Sequence, residues 1–277
     1  MVPVSGPTTG EVVGAPCWLS LTARDLDAAE RFYGAVLGWT FRRDDGGDRE
    51  YAVGRLDDQP VAVIAAVAAR LSVRVAWTAF FTVDDVDEAV ARIRERGGTV
   101  GVGPVGYPPH GRAALAADRE GAAFGVWEGR TENRLHIGMR SAPAWLELHT
   151  RDAFEAAVFY GEVLRWADEA PAGFEVSYEQ DKVVLRRDGE AVARLNSGPV
   201  ESGSPRPQLR PRWLVRFRVP DPEAAAVTVV AYGGTVVPGG DWGGVRGPEE
   251  PDGRRVVVVR DPEGALFGLE AAGDGKG

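Results

Sequence analysis

Cysteine is almost absent from this chain of 277 residues, which contains only Cys17. A single cysteine excludes an internal disulfide framework and is typical of a protein in a reducing compartment. Long hydrophobic runs are missing too, because the longest, residues 61–69, is far below the roughly 20 residues that span a bilayer. Residues 1–13 lack the basic start and apolar stretch of a signal peptide. The sequence therefore predicts a cytoplasmic protein with no membrane partner.

Positive charge is scarce as well. The chain has 32 Lys and Arg against 41 Asp and Glu, which gives a net charge of −9 and a pI near 5.0. This acidic balance argues against a nucleic-acid partner. Hydrophobic residues make up 44% of the chain, so its length fits two domains that each bury a core.

The most informative feature that is present is a stretch that occurs twice. Residues 15–39 and 142–166 each contain an alternating run, an alanine-rich helical run and a closing tryptophan. Trp18 in the first copy matches Trp145 in the second, an offset of 127 (145 − 18). Self-similarity at so long a period indicates a duplicated domain, not a solenoid.

Each half of the chain has the same order of predicted elements. Alternation around Trp18 predicts a strand, and Asp25 or Asp27 is placed to cap the helix that follows, with Asp27 and Glu30 at capping-box spacing. Three predicted strands come next, one of them near residues 60–68, and the whole order then repeats. The pattern indicates an α+β fold. We place the domains and their linker at 14–129, 142–272 and 130–141 respectively.

Three motifs of the first half carry a resemblance to a known family: RDLDAAERFYGAVLGW, WTAFFTVDDVDEAVARIRERGG and DREGAAFGVWE. The second half has counterparts of all three. These motifs resemble the vicinal oxygen chelate superfamily, which includes glyoxalase I, bleomycin- and fosfomycin-resistance proteins and extradiol dioxygenases. The resemblance implies four βαβββ modules whose curved mixed sheets form cups. Two domains in one chain would imitate the dimer of smaller relatives, so we expect a monomer or a weak dimer.

The metal enzymes of this family bind a divalent cation at the centre of the cup, through side chains at three positions. In this chain those positions carry Trp18, Thr78 and Gly125 in the first half, and Trp145, Leu214 and Gly268 in the second. None of these six residues provides an imidazole, carboxylate or thiolate. The resemblance therefore predicts cups without a metal and without another cofactor.

Trp18 and Trp145 stand where the resemblance puts a metal ligand, at the centre of each cup. An indole at that place can stack on a flat ligand. The equally weighted alternative is that each tryptophan fills its cup as part of the core.

Glu147 and His149 share the strand face of Trp145 and form the candidate acid–base pair. On the strand that begins at Trp213, Arg216 and Arg218 also point inward and can hold an anionic oxygen. The alternative is a buried structural network such as a Glu147–Arg216 ion pair, which would lose about 3–5 kcal/mol of stability if one partner were removed.

The sequence leaves open which modules share a cup. If modules exchange as in dimeric relatives, Trp145 and its neighbours join Thr78, Phe80 and Trp127. If they do not exchange, Trp145 joins Arg216 and Arg218 instead.

Two loops add weaker candidates. Trp242, in a glycine-rich loop, is a candidate lid residue, whereas His110 is expected to be an ordinary solvated loop residue. The function predicted from all these features is metal-independent binding of a small, planar, partly apolar molecule, as in resistance proteins. The alternative is a metal-independent tailoring enzyme, such as an isomerase, cyclase or hydrolase, that uses Glu147 and His149.

Overall fold

Both halves of the chain fold into βαβββ modules. A computed structural model describes residues 12–43, 51–129, 137, 142–166, 173–179, 182–197, 211–237 and 256–272. Among these residues, no helix is long and apolar enough to cross a membrane.

The first half contains eight strands and three helices, one of which has a single turn. Their bounds are β1 Pro16–Thr22, α1 Leu26–Leu37, β2 Thr40–Arg43, β3 Tyr51–Leu56, β4 Gln59–Ala65, α2 Ala68–Leu71, β5 Ala76–Thr82, α3 Val86–Glu95, β6 Thr99–Tyr107, β7 Gly111–Ala117 and β8 Ala123–Gly129.

The second half repeats this order without the single-turn helix. Its elements are β9 Ala144–Thr150, α4 Ala153–Val163, β10 Phe174–Glu179, β11 Lys182–Arg187, β12 Glu190–Ser197, β13 Arg212–Val219, α5 Pro222–Ala231, β14 Thr235–Val236, β15 Val256–Arg260 and β16 Leu266–Ala271.

Each half forms one mixed sheet of eight strands. The order is β2-β3-β4-β1-β5-β8-β7-β6 in the first and β10-β11-β12-β9-β13-β16-β15-β14 in the second. At the centre of each sheet the two modules of the same half pair antiparallel, β1 with β5 and β9 with β13. The modules therefore do not exchange between halves.

Helix α1 begins as predicted, and its cap is Asp25, one of the two predicted residues. The carboxylate of Asp25 accepts a hydrogen bond from the backbone N–H of Ala28 at 2.9 Å. The capping box predicted from Asp27 and Glu30 is wrong, because both carboxylates bind the guanidinium of Arg43, with Glu30 Oε2 2.7 Å from Nη2. The strand predicted over residues 60–68 ends at Ala65, where the chain turns into α2.

The two sheets share one core, which lies between their helix-bearing faces. Rings from both halves interdigitate there: Phe217 lies 5.0 Å from Trp77 and 5.1 Å from Trp39, and Trp213 lies 5.3 Å from Phe81. Trp39, the closing tryptophan of the first repeated stretch, belongs to this core.

Two matching chains of hydrogen bonds join the halves through this core. Tyr33 donates to Asp261 Oδ2 at 2.9 Å and accepts from the Trp77 indole N–H at 3.1 Å. Burial raises the pKa of Tyr33 well above its usual value, and it also raises that of Asp261. The second copy consists of Tyr160, Asp118 and Trp213, with both distances 2.9 Å.

Candidate functional site

The side of each sheet opposite the shared core is the place of the cup. We call these two surfaces the first cup face and the second cup face. Strand alternation sends Leu19 and Leu21 into the core and leaves Trp18 on the first cup face. Cross-strand register brings Trp18 opposite Phe80 and sets Phe80 beside Gly125.

Aromatic rings fill the middle of the first cup face. Trp18 lies 5.1 Å from Phe80 in an edge-to-face contact and 5.1 Å from Trp127 in a tilted one. Tyr107, from the end of β6, adds a ring 6.0 Å from Trp127. A side chain at Gly125 would overlap the Phe80 ring, so glycine there lets that ring lie across β8. We call Trp18, Phe80, Trp127 and Tyr107 the aromatic cluster.

The strands that carry the aromatic cluster place no charge on the cup face, whereas Arg42 of the edge strand β2 lies on that face by register. Within the described strands β1, β4, β5, β6 and β8, no ionisable residue lies on the cup face, and the polar positions carry only hydroxyls, those of Ser20, Thr22, Thr78, Thr82 and Thr99. Apolar side chains nearby are partly open to solvent, with exposed fractions from 38% to 49% for Leu115, Val105, Val102 and Tyr107. The first cup face therefore exposes an apolar surface to solvent.

Charged side chains occupy the second cup face at equivalent positions. Trp145 lies opposite Arg216, which lies beside Gly268, just as Trp18, Phe80 and Gly125 are arranged in the first half. Two residues further along β13, Arg218 lies beside Glu270.

These charges form one network around Arg216. Its guanidinium is 1% exposed and forms an ion pair with Glu147, and its Nη1 lies 3.7 Å from Glu270 Oε2. Glu147 also accepts a hydrogen bond from the Asn196 amide. Arg218 Nε is 4.0 Å from Glu270 Oε1, and its Nη1 donates to a backbone carbonyl. Arg216 and Arg218 thus balance the two carboxylates, as burial of charge requires.

His149 is the most accessible member of this group, with 21% of its side chain exposed against 2% for Glu147. Its Nε2 lies 3.4 Å from Glu147 Oε2. Burial raises the pKa of Glu147, but the charge of Arg216 and the hydrogen bond and charge of His149 outweigh burial and hold this pKa well below its usual range. Glu147 is therefore an ionised carboxylate that contacts the imidazole.

The ring of Trp145 is covered within the second cup face. The guanidinium of Arg194 lies over it, 5.6 Å from the ring centroid, in a cation–π arrangement. This geometry favours the packing interpretation of Trp145 over the ligand-stacking one.

The structure separates the predicted site residues into two groups. Trp18, Thr78, Phe80 and Trp127 belong to the first cup face, and Trp145, Glu147, His149, Arg216 and Arg218 belong to the second. Of the loop residues, His110 lies exposed between β6 and β7, and Trp242 lies outside the described residues.

Two family models match the chain. Residues 17–126 match the model of the Glyoxalase/Bleomycin resistance protein/Dioxygenase superfamily, and residues 145–269 match that of the glyoxalase-like domain. The chain belongs to this superfamily. The family and the α+β fold of two tandem glyoxalase-like domains, both predicted from the motifs, are thereby confirmed.

Two relatives within the superfamily are similar over nearly their whole length. CFP32 of Mycobacterium tuberculosis, provisionally named a glyoxylase, is 30% identical over 267 residues, which cover 92% of this chain and 94% of that protein. The anthracycline biosynthesis protein DauV of Streptomyces sp. strain C5 is 30% identical over 271 residues, 92% of each chain.

Solved structures of the superfamily share the fold at lower identity. The Mn(II)-bound glyoxalase of Novosphingobium aromaticivorans has a TM-score of 0.54 and 17% identity, covering 94% of this chain and 83% of that one. The 2,3-dioxygenase LapB of Pseudomonas sp. KL28 has a TM-score of 0.56 and 15% identity, covering 95% and 94%. Likeness at these identities shows the fold alone.

The metal of the superfamily's enzymes does not fit the residues present here. Of the residues at the three ligand positions of the first half, only Thr78 has a side chain with a donor atom for a metal, and that group is a hydroxyl. On the second cup face, Arg216 pairs with both Glu147 and Glu270, and together with Arg218 it balances the two carboxylates. Across the described part of the chain, no three His, Cys, Asp or Glu residues are grouped to hold a metal ion. No chemical step is therefore assigned to a metal.

Four residues of the cup faces were missed by sequence reasoning. Glu270 was within reach, because it lies two residues beyond Gly268 and so on the same face of β16. Arg194, Asn196 and Tyr107 enter through the pairing of β12 with β9 and the course of the β6–β7 turn, which no local pattern encodes.

A cleft of about 270 Å³ lies at the junction of the two domains, away from both cup faces. Glu120 in its wall accepts hydrogen bonds from Thr150 Oγ1 at 2.7 Å and from the backbone N–H of Arg151 at 2.9 Å. At the equivalent junction, Glu263 accepts from the N–H of Arg24 at 2.8 Å. These repeated contacts join the domains, so we assign the cleft to the domain junction.

Proposed function

We propose that this protein binds a small, planar, partly apolar molecule on its first cup face without a metal. The observation that supports this function is the uncharged aromatic cluster of Trp18, Phe80 and Trp127, bordered by apolar side chains that water reaches. A contiguous apolar surface that water reaches is typical of a site where a protein binds another molecule.

The physics of the cluster selects the shape of the ligand. A flat ring that contacts several aromatic side chains buries apolar area and gains about 0.5–1.5 kcal/mol from each favourable ring contact. No ionisable side chain of the described central strands is available on this face to pair with a charged ligand. An uncharged polycyclic molecule is therefore the ligand class that this face fits best.

The relatives support the same class. DauV of Streptomyces sp. strain C5 and DnrV of Streptomyces peucetius are named anthracycline biosynthesis proteins, and both are 30% identical to this chain over 92% of its length. An anthracycline contains a flat system of fused rings. A natural product of this kind, bound or sequestered, matches the shape and the polarity of the first cup face.

A titration with a planar hydroxyanthraquinone tests the proposal. We expect one molecule to bind per chain in isothermal titration calorimetry. The variant Trp18→Leu should bind about 10-fold more weakly, because it loses one ring contact and apolar area. Trp145→Leu is the matched control, since it removes the equivalent tryptophan from the second cup face. An equal loss in both variants, or no binding to the wild type, would refute the assignment to the first cup face.

A metal-independent enzyme remains the second candidate, and the contact of His149 with Glu147 at 3.4 Å favours it. In this function His149, which solvent reaches, would exchange a proton with a substrate. Glu147 would position the imidazole and stabilise its protonated form, because Arg216 keeps this carboxylate ionised. The chemistry would be an isomerisation, cyclisation or hydrolysis that needs one acid–base group.

Product analysis separates the two candidates. The hydroxyanthraquinone is incubated with wild type, His149→Asn, Glu147→Gln and Trp18→Leu, and the mixtures are examined by mass spectrometry. Conversion that disappears in His149→Asn and in Glu147→Gln supports an enzyme. Stoichiometric binding with unchanged ligand in every sample supports a binding protein.

A further inference from the structure

Two indole N–H groups on the first cup face are buried without a hydrogen-bond partner among the described residues: those of Trp18 and Trp127. Both rings belong to the aromatic cluster, and Trp127 is only 4% exposed. A buried donor without an acceptor destabilises a folded protein, and such groups are few in native structures. Two of them in one cluster call for an explanation.

Three buried indoles on the other side of the sheets have partners. Trp77 donates to Tyr33 at 3.1 Å, Trp213 donates to Tyr160 at 2.9 Å, and Trp166 donates to a backbone carbonyl at 2.8 Å. The fold is therefore able to satisfy an indole N–H where it packs one for stability alone. The two unpaired donors occur only on the face to which we assign ligand binding, as far as the described tryptophans show.

We propose that the ligand of the first cup face is an uncharged, flat ring system that carries carbonyl-type oxygens, and that these oxygens accept hydrogen bonds from Trp18 and Trp127. This inference rests on the proposed function and names the chemistry of its ligand. Neither N–H reaches an acceptor among the described residues, although the hydroxyls of Ser20, Thr78 and Thr82 share this face. The backbone carbonyls of these strands belong to the strand ladders, so we take the accepting oxygens to be those of a ligand.

The charge of the ligand follows from the same surroundings. Indole N–H groups are neutral donors, and the central strands place no cationic side chain beside them. An anion would lose its hydration without gaining a counter-charge, whereas a quinone-type carbonyl needs only the two donors. Tyr107, 49% exposed and with its ring 6.0 Å from that of Trp127, is the member of the aromatic cluster that an approaching ligand meets at the solvent side.

A pair of matched ligands tests the inference. One is anthraquinone and the other anthracene, each carrying the same uncharged ether chain for solubility. Anthracene is the more apolar ring, so a face that selects only by hydrophobicity prefers it. We expect the wild type to prefer the quinone by about 10-fold, which corresponds to one or two neutral hydrogen bonds.

Variants assign this preference to the two donors. Trp127→Phe and Trp18→Phe keep an aromatic ring but remove the N–H, so each should weaken quinone binding and leave anthracene binding nearly unchanged. Trp145→Phe is the matched control and should change neither affinity. Melting temperatures of all variants are recorded to show that they are folded, and the wild-type ligand pair is decisive even if one variant is not.

The outcomes are distinguishable. Equal affinity of the wild type for both ligands, or a quinone preference that survives in the Trp18→Phe/Trp127→Phe double variant, overturns the inference and leaves the proposed function standing. Failure of both ligands to bind overturns the proposed function and the inference together. A preference for the quinone that both substitutions abolish supports them both.

Discussion

The two cup faces occupy equivalent positions of one duplicated scaffold and solve the same packing problem differently. Where the first has Phe80 the second has Arg216, an offset of 136 (216 − 80), and where the first has Trp127 the second has Glu270, an offset of 143 (270 − 127). The first face is held together by ring contacts and the second by ion pairs.

The opposite sides of the same sheets did not diverge in this way. Tyr33 and Tyr160 make the same two hydrogen bonds, each to an aspartate of the other half and to a tryptophan of its own. The pairing of the domains dictates these positions, since a change in one would leave a buried partner unsatisfied. The residues of the cup faces do not take part in the pairing of the domains, so they are free to differ between the two halves.

The largest expected effect comes from breaking the charged face. Arg216→Met removes the guanidinium that Glu147 and Glu270 share, and leaves two carboxylates buried. We expect a loss of about 3–5 kcal/mol in the free energy of unfolding, measured with urea. Phe80→Leu, at the equivalent position of the aromatic face, should cost only about 1–2 kcal/mol because it removes apolar volume and no charge.

A double variant sharpens this comparison. Glu147→Gln combined with Arg216→Met removes a charge of each sign, so it should be less destabilised than the sum of the single variants. Additive effects, or a cost below about 1 kcal/mol for Arg216→Met, would show that the ion pairs do not stabilise the second cup face.

Much of the fold was predictable because its signals are local and repeated. The matched Trp18 and Trp145, the strand alternation around them and the capping Asp25 are properties of short segments. The Glu147–Arg216 ion pair was predicted as the structural alternative to a functional role for these residues. It could be predicted because strand alternation points both side chains inward whichever way the modules are arranged. Only the pairing of β9 with β13 shows that the two modules of the second half share one cup, so that Glu147 and Arg216 meet.

The rest of the site depends on register, which alternation alone does not provide. Glu270 reaches Arg216 because β16 runs parallel to β13, with Gly268 beside Arg216. Tyr107 reaches Trp127 only through the path of the β6–β7 turn. These contacts join segments that are distant in sequence, and their geometry follows from the assembled sheets.

A second, intermediate effect tests the part that both halves share. Tyr33→Phe removes a hydrogen bond to Asp261 and leaves the Trp77 indole N–H without its acceptor. We expect a cost of about 1–3 kcal/mol in urea unfolding, and the same cost within error for Tyr160→Phe, which breaks the equivalent bonds. A large difference between the two variants would show that the halves are not equivalent in their pairing either.

The smallest expected effect concerns pH and separates Glu147 from ordinary surface carboxylates. Because Arg216 and His149 outweigh burial and lower the pKa of Glu147 in the folded protein, its stabilising contribution is complete above its unfolded-state value of 4.5 and is lost as pH falls below that value. Between pH 6 and pH 4, the free-energy advantage of the wild type over Glu147→Gln should therefore shrink by about 0.8 kcal/mol. Glu95→Gln, on the exposed side of α3, is the control for the loss of a surface carboxylate. Burial raises the pKa of Asp118 and Asp261, which gives the opposite dependence, but both residues are present in every sample and cancel in the difference. An advantage that grows on acidification would mean that Glu147 is not held ionised by Arg216.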